Sequence, residues 1–467
     1  MTDQTSREPL YVVPPPFLAP EELDRLVRDR QITTVMVAVP DMQGRLKGKR
    51  LDAQTFLDRL PDGPEMCRYV LATDLDMNPQ PGYDLTGWHD GFGDLRVVPD
   101  RGTIRRLNYL SRTVLVHGDA VHRDGSPVEV APRQILRRQI ERLAALGLKA
   151  KVGIESEFML YRHTTAQARR RGYQGLTPVC PHNLDYALDH PVALSGFFDH
   201  LHDALRAAGT PVEAIKTEGA AGQIEVTWPY EDPYGDPMRA CDAYTVHQHA
   251  VRQIAERHGM VATFMAAPQT GVGSGMHLHV SLWHGDEPVF HTLRPSELPA
   301  RLQHSIAGLI ENLPYMGPLY APTLNSYRRF RPHSFAPTNF SWGHDNRTCT
   351  VRVTGHRTHP HLENRVPGAD ANPYLALAAT LASIAHGIRT EPKLPEPCTG
   401  DAYHATEPLP VPQTLDEALT DFANSQLAQE AFGSRVVEHY TRAGEIELAA
   451  VKDQVTDVEL KRGFDRA

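Results

Sequence analysis

Along RQILRRQIERLAALGL (133–148) apolar residues return every three or four positions, the period of a helix with one buried face, and Gly147 closes it. Along KVGIESEFMLY (151–161) the period shortens to that of a strand. The same two periods predict a short helix over 21–30, strands either side of a turn at Asp41–Gly44 within 33–51, and further strands in 101–120. They also predict helices over 197–209 and 238–259, strands near 212–229, and a strand over 261–268. YLALAATLASIAHGI (374–388) is apolar on all sides and reads as a buried helix. The first third is a small sheet with few helices, and the turn-rich HRDGSPVEVAPR (122–133) is a boundary signal. The predicted organisation is an irregular, proline-rich tail over 1–20, a small domain over 21–126 and a large domain over 127–467. Helices and strands alternate irregularly, which favours α+β over a doubly wound sheet.

Composition narrows the class. A chain of 467 residues with 41% hydrophobic and 22% charged positions is long enough for a large enzyme core plus an accessory domain. Net charge is −9, and the basic stretches RLKGKR, ARRR and RRFR are short and scattered, which argues against a nucleic-acid partner. The five cysteines form no C-x-x-C and suit a reducing, cytoplasmic setting. No signal-peptide pattern opens the chain, and Thr, Ser and His interrupt its longest apolar stretch, so no membrane role is expected.

Charge inside the apolar strands changes the picture more. GVGSGMHLHVSL (271–282) sets His277 and His279 on one strand face behind flexible glycines. Glu155 and Glu157 share a face of 151–161, Glu218 and Glu225 flank a glycine-rich turn, and Glu363 and Arg365 share a face of HLENRVPGADANPYL. Any one of these is most simply a solvated strand face or a hydrogen-bonded pair. Together they are too many carboxylates for one region without cations. Oxygen-rich donors with some imidazole suit Mg²⁺ or Mn²⁺ better than Zn²⁺, and two hard cations suit phosphate chemistry. Arg329, Arg347, Arg352 and Arg365 cluster in the C-terminal third, and arginine clamps carboxylate and phosphate. There is no Walker loop and no G-x-G-x-x-G after a first strand.

Seven segments in order, ESEF (155–158), EGAAGQIE (218–225), SGMHLHVSL (274–282), NSYRR (325–329), DNRTCTVRV (345–353), ENRVPGADANPYLA (363–376) and VTDVELKRGFDR (455–466), resemble the glutamine synthetase superfamily, class I type. The resemblance runs from about residue 30 to the end. It implies a small β-grasp N-terminal domain, a catalytic α+β half-barrel, and a homo-oligomer, commonly a dodecamer of two stacked hexamers with active sites between subunits. By position it implies one metal on Glu157, Glu218 and Glu225 and a second on Glu155, His277 and Glu363. His279, Ser281, Arg347, Arg352 and His361 would contact ATP. Gly273, Arg329 and Arg365 would hold the amino-acid substrate, with Arg347 also at the transferring phosphoryl group. The reaction implied is phosphorylation of the glutamate γ-carboxylate by ATP, followed by attack of a nitrogen nucleophile.

The chain departs from that pattern around the nucleophile. Phe335 stands where ammonium users carry a flap glutamate, and LATDLDMNPQPGYD (71–84), with Asp74 and Asp76, replaces their Asp-Gly-Ser-Ser motif. Val272 replaces an asparagine, and His361 replaces an arginine. Tyr403 falls near the site some bacterial relatives adenylylate, without their sequence context. Intact metal positions with an altered ammonium pocket resemble the γ-glutamyl-amine ligases, which join glutamate to ethanolamine or a polyamine. A glutamine synthetase using ammonium, a ligase using another acid and a non-catalytic homologue remain as alternatives at this stage. In the ligase reading, Asp74 or Asp76 of a neighbouring subunit deprotonates the amine and Phe335 bounds its pocket.

Overall fold

The computed structural model describes residues 17–60, 62–210, 212–229, 235–292, 298–356 and 359–466. Most of the expected N-terminal tail, 1–16, lies outside these. Two sheets organise the described residues. The first contains β1 (Thr34–Pro40), β2 (Leu46–Asp52), β3 (Glu65–Cys67), β4 (Asp94–Pro99), β5 (Arg105–Arg106) and β6 (Thr113–Val121). Its order is β2-β1-β6-β4-β3, with β5 beside β6, and β1 runs parallel to β6 while the other pairs are antiparallel. Val35, Val37 and Val39 of β1 are buried, as its alternation predicts. The turn into β2 is built by Asp41, whose carboxylate accepts from the backbone N–H of Gln43 (3.0 Å) and Arg45 (2.8 Å), while Gly44 takes a left-handed φ of 77°.

The second sheet contains β7 (Lys149–Tyr161), β8 (Ala214–Thr217), β9 (Gln223–Thr227), β10 (Val261–Thr263), β11 (Met276–His284), β12 (Glu287–Pro288), β13 (Trp342–His344), β14 (Val351–His356) and β15 (His359–Asn364). Its order is β13-β14-β15-β11-β7-β9-β8, with β10 on β7 and β12 on β11; only β13–β14 is parallel. The expected α+β class is therefore met. The apolar helix Pro373–Thr390 is buried along most of its length and packs on the helix Ala300–Asn312. A Cβ on Gly308 would lie 2.6 Å from the Cα of Gly387, so glycine at this crossing permits close backbone contact.

Two expected elements change length. The helix predicted from 197 begins at Val192. The strand predicted over 261–268 spans only Val261–Thr263, because the chain then turns to other partners. Thr263 Oγ1 accepts from the N–H of Met265 (3.2 Å), and Asn325 Oδ1 accepts from the N–H of Ala267 (2.9 Å). Side chains thus satisfy backbone groups that a longer strand would have paired.

Polar contacts lock the first sheet to the helices that follow it in the chain. Buried Arg133, at the start of the helix Pro132–Ala145, pairs with Asp100 (2.7 Å), Asp119 (3.0 Å) and Asp242 (2.5 Å). Asn372 caps the helix Pro373–Thr390 and donates from Nδ2 to the carbonyls of Asp41 (3.1 Å) and Met42 (3.0 Å). A buried ion network left half-paired would be strongly destabilising, so these contacts hold the smaller sheet in one position against those helices.

Candidate active site

Cross-strand register assembles the site. His277 lies opposite Glu155, Glu157 opposite Glu225, His279 opposite Glu363, Glu363 opposite Arg352, and Glu225 opposite Lys216. Residues directly opposite in antiparallel strands share a face, and i, i+2 positions share it too. Strands β8, β9, β7, β11, β15 and β14 therefore present Lys216, Glu225, Glu157, Glu155, His277, His279, Glu363 and Arg352 to one side of the sheet.

The side chains converge in two overlapping groups. Ligand atoms of Glu155, His277 and Glu363 lie within 4.8 Å of one another, as do those of Glu157, Glu225 and His277. His277 Nδ1 is 2.9 Å from Glu155 Oε2 and 3.6 Å from Glu363 Oε1, and its Nε2 is 3.8 Å from Glu157 Oε1. The first group is one of the expected metal sets. The second shares Glu157 and Glu225 with the other expected set and brings in His277. Glu218 instead forms an ion pair with Lys216, whose Nζ is also 3.8 Å from Glu225.

Electrostatics mark this face as short of positive charge. Burial, with Glu155, Glu157 and Glu218 nearby, pushes Glu225 up to about 9. Against burial, hydrogen bonds from His277 and His279 hold Glu155 well below the usual carboxylate range. Against burial, Arg365 and the two histidines hold Glu363 at about 2. Hard carboxylate oxygens with one imidazole, gathered this closely and unevenly neutralised, fit a divalent cation of the Mg²⁺ or Mn²⁺ kind.

The expected nucleotide contacts flank β15. His279 Nε2 lies 3.0 Å from Glu155, its Nδ1 lies 3.0 Å from His361 Nε2, and burial beside His279 lowers His361 to about 4. Arg352 pairs with Glu363 (2.8 Å) and with Asp345. Ser281 accepts from the Trp283 indole N–H at 2.9 Å. Arg347 is exposed on the turn between β13 and β14 and has no hydrogen bond or ion pair among the described residues.

The glycines before His277 act through space. A Cβ on Gly275 would sit 2.7 Å from Arg329 Nη2 and 2.8 Å from His277 Nε2, and one on Gly273 would sit 3.0 Å from Arg329 Cγ. Gly275 N–H donates to Glu157 Oε2 at 2.9 Å. Arg329 is buried and donates to the carbonyls of Val366 (2.8 Å) and Arg365 (3.1 Å). Arg365 lies just past the end of β15, pairs with Glu363, and donates from Nη2 to the Phe335 carbonyl at 3.3 Å.

Phe335 is 63% exposed and takes a φ of 57°, a conformation that is a genuine outlier for a bulky residue. His333, two residues earlier, is also left-handed at 61°. Backbone strain of this kind persists only where surrounding contacts hold it, and it concentrates at ligand clamps. Asp74 and Asp76 are not brought to the carboxylate cluster of their own chain. Asp74 accepts from Asn78 Nδ2 (3.0 Å) and Gln80 Nε2 (2.7 Å) and borders a different cavity, with Thr323, Asn372 and Glu447. Asp76 is exposed.

Sequence reasoning missed three neighbours of the cluster. Gln223 Nε2 donates to Glu157 Oε2 (2.9 Å) and to the Gly273 carbonyl (2.9 Å), joining a ligand to the glycine loop. Asp345 buttresses Arg352. Lys216 lies beside two of the acidic side chains. Strand alternation could have found Gln223 and Lys216, since each sits two residues from a named glutamate.

Comparison with known proteins agrees with this architecture. Residues 129–463 match the glutamine synthetase catalytic domain. The chain is 43% identical over 452 residues to gamma-glutamylethanolamide synthetase GlnA4 of Streptomyces coelicolor, covering 97% of this chain and 96% of that one. It is 33% identical to gamma-glutamylputrescine synthetase PuuA of Escherichia coli, covering 91% and 90% respectively. It is 32% identical to a glutamate–isopropylamine ligase of a Pseudomonas species, covering 94% and 96%. A solved GmaS/ADP complex has the same fold, with a TM-score of 0.81 at 24% identity over 95% of this chain and 99% of that one. With the domain match spanning most of its length and the carboxylate–histidine face in place, the chain belongs to the glutamine synthetase family.

Proposed function

We propose that this protein is an ATP-dependent glutamate–amine ligase that forms a γ-glutamyl amide, with ethanolamine or another short alkylamine as acceptor. One observation carries the reading. The acidic ligand face is intact, while Phe335 stands on the flap where a glutamate would serve ammonium. The relatives named as a gamma-glutamylethanolamide synthetase, a glutamate–isopropylamine ligase and a gamma-glutamylputrescine synthetase support it.

In this reading Glu157, Glu218 and Glu225 hold one divalent cation, and Glu155, His277 and Glu363 hold another. Bound there, the cations neutralise ATP phosphate charge and polarise the phosphoryl group. His279, Ser281, Arg352 and His361 line the nucleotide side. Arg347, exposed on its turn and unpaired among the described residues, steadies the transferring phosphoryl group. Arg329 and Arg365, beside Gly273, orient glutamate so that its γ-carboxylate oxygen attacks the terminal phosphorus of ATP, breaking the bond to the bridging oxygen and releasing ADP. The amine then attacks the acyl phosphate and expels phosphate. An alkylammonium with a pKa near 10 is almost wholly charged at pH 7 and must lose a proton first. Asp74 or Asp76 takes that proton. Because neither reaches the cluster of its own chain, the acid is supplied in trans, within a homo-oligomer of the dodecameric type. We also read the chain as a β-grasp domain over 21–126 and a half-barrel catalytic domain over 127–467, working in the cytoplasm.

A coupled ADP-release assay across ethanolamine, isopropylamine, putrescine and ammonium tests the reading. Release with an alkylamine at least about ten times faster, in kcat/KM, than with ammonium is expected. Equal rates with ammonium would make the protein a glutamine synthetase. Transfer of ¹⁸O from γ-labelled glutamate into phosphate checks the acyl-phosphate step.

A further inference from the structure

Lys216 meets the acidic face, and the mechanism above leaves it without a task. It belongs to β8, directly opposite Glu225 and on the same side of the sheet. Its ammonium forms an ion pair with Glu218, lies 3.8 Å from Glu225 and 3.3 Å from Asp185, and sits over the Tyr186 ring at 4.4 Å from its centre. The side chain is 21% exposed, so these contacts are only partly screened by solvent. Two of the three glutamates assigned to one metal therefore already hold a protein-borne cation.

We propose that Lys216 is a built-in placeholder for that metal: its ammonium holds Glu218 and Glu225 in the metal-free protein, and an entering divalent cation displaces it. The inference rests on the metal assignment made above. Carboxylates crowded together without a cation repel one another wherever they ionise, so a positive charge beside Glu218 and Glu225 helps the metal-free face keep its shape. A lysine supplies one as a flexible point charge with no fixed fork geometry, and it can swing aside without breaking a bidentate pair. The Tyr186 ring and Asp185 offer the released ammonium a nearby resting place. The exchange lowers metal affinity at this position and leaves the Glu155–His277–Glu363 group unaffected. The two positions should then fill at different metal concentrations.

Calorimetric titration of the purified full-length protein with Mn²⁺, without nucleotide, tests this, alongside thermal melting in EDTA. Lys216→Gln should bind Mn²⁺ at the weaker of two classes of site at least about tenfold more tightly than wild type, with the tighter class unchanged. In EDTA it should melt lower than wild type, and saturating Mn²⁺ should close most of that gap. Lys216→Arg keeps a charge at the same place and should melt near wild type in EDTA while binding Mn²⁺ no more tightly than wild type, which guards against a variant that merely folds poorly. Equal or weaker Mn²⁺ binding by Lys216→Gln would overturn the placeholder role alone. Absence of Mn²⁺ binding by the wild type would overturn the metal assignment and this role with it.

Discussion

In the proposed reading, the acidic face and the acceptor side of one site are built by different means. Glu155, Glu157, Glu225, His277 and Glu363 are set by the register of adjoining strands, and each is pinned by a neighbour across the ladder. Phe335 sits on a loop in left-handed backbone, its carbonyl accepting from Arg365 Nη2, and Asp74 sits on a loop that borders another cavity. Strand register cannot shift by one residue without turning the whole ligand set to the other side of the sheet, so phosphoryl chemistry built there tolerates little change. Loops can exchange side chains without disturbing a sheet, so the choice of nucleophile can vary while the ligand face stays the same.

The largest effect should come from breaking the sheet side. Glu157→Ala removes a carboxylate that accepts from both Gln223 and Gly275, and should lower ADP release by about a thousandfold or more with every amine. Chelation of metal should do the same. Undiminished turnover in EDTA would separate the acidic face from the chemistry.

Gly275→Ala should come next. The added methyl must push away Arg329 or His277, each within 2.8 Å of its position. A displacement of this size should reduce kcat/KM for glutamate by roughly a hundredfold, with the fold retained by circular dichroism. An unchanged kcat/KM would mean that the glycine loop is not shaped by those two side chains.

Changes on the flap should be smaller and selective. Ethanolamine carries two methylenes against Phe335, worth about 0.8 kcal/mol each when buried, whereas ammonium has none. Phe335→Ala should raise the amine KM by about tenfold and leave the ATP KM unaltered. Phe335→Glu should narrow the preference for amine over ammonium. If both variants keep the wild-type amine KM, the ring only packs the flap and the two regions do not differ as argued.

The smallest effect concerns the scaffold that both regions share. His117 and His247 are fully buried, and burial lowers each to about 3, while an unfolded histidine titrates near 6.5. The unfolded chain therefore binds the extra protons. The stability these groups supply is complete above pH 6.5 and is lost as pH falls toward 3, by about 2 kcal/mol each at pH 5. Melting should occur several degrees lower at pH 5 than at pH 7.5, and an equal melting point would show these histidines charged inside the fold.

Much of this site was legible before folding. Paired charges in apolar strands, Glu155 with Glu157 and His277 with His279, already require a shared partner, since burial forbids an isolated charge. Residues 374–388 were legible as a buried helix because apolar residues fall on every side of it, and the structure places a helix over Pro373–Thr390. Less legible was where the strand after Val261 would stop, because Asn325, far along the chain, supplies the hydrogen bond that ends it. Gln223 and Lys216 share the right strand parity, yet parity alone cannot say which polar side chain faces a glutamate and which faces water.

Sequence alone determined which donor residues the chain carries, the family pattern and the phenylalanine at 335, because residue type and spacing along one strand are local properties. Only the tertiary structure decided that β8, β9, β7, β11 and β15 lie side by side, that Lys216 meets Glu218 and Glu225, and that Asp74 stays away from the cluster of its own chain. Most of those relations join positions tens to hundreds of residues apart, and the Lys216 contacts, though close in sequence, depend on the turn that folds β9 back onto β8. They follow from the packing of the sheet against its helices and from strand register, which no stretch of sequence carries by itself.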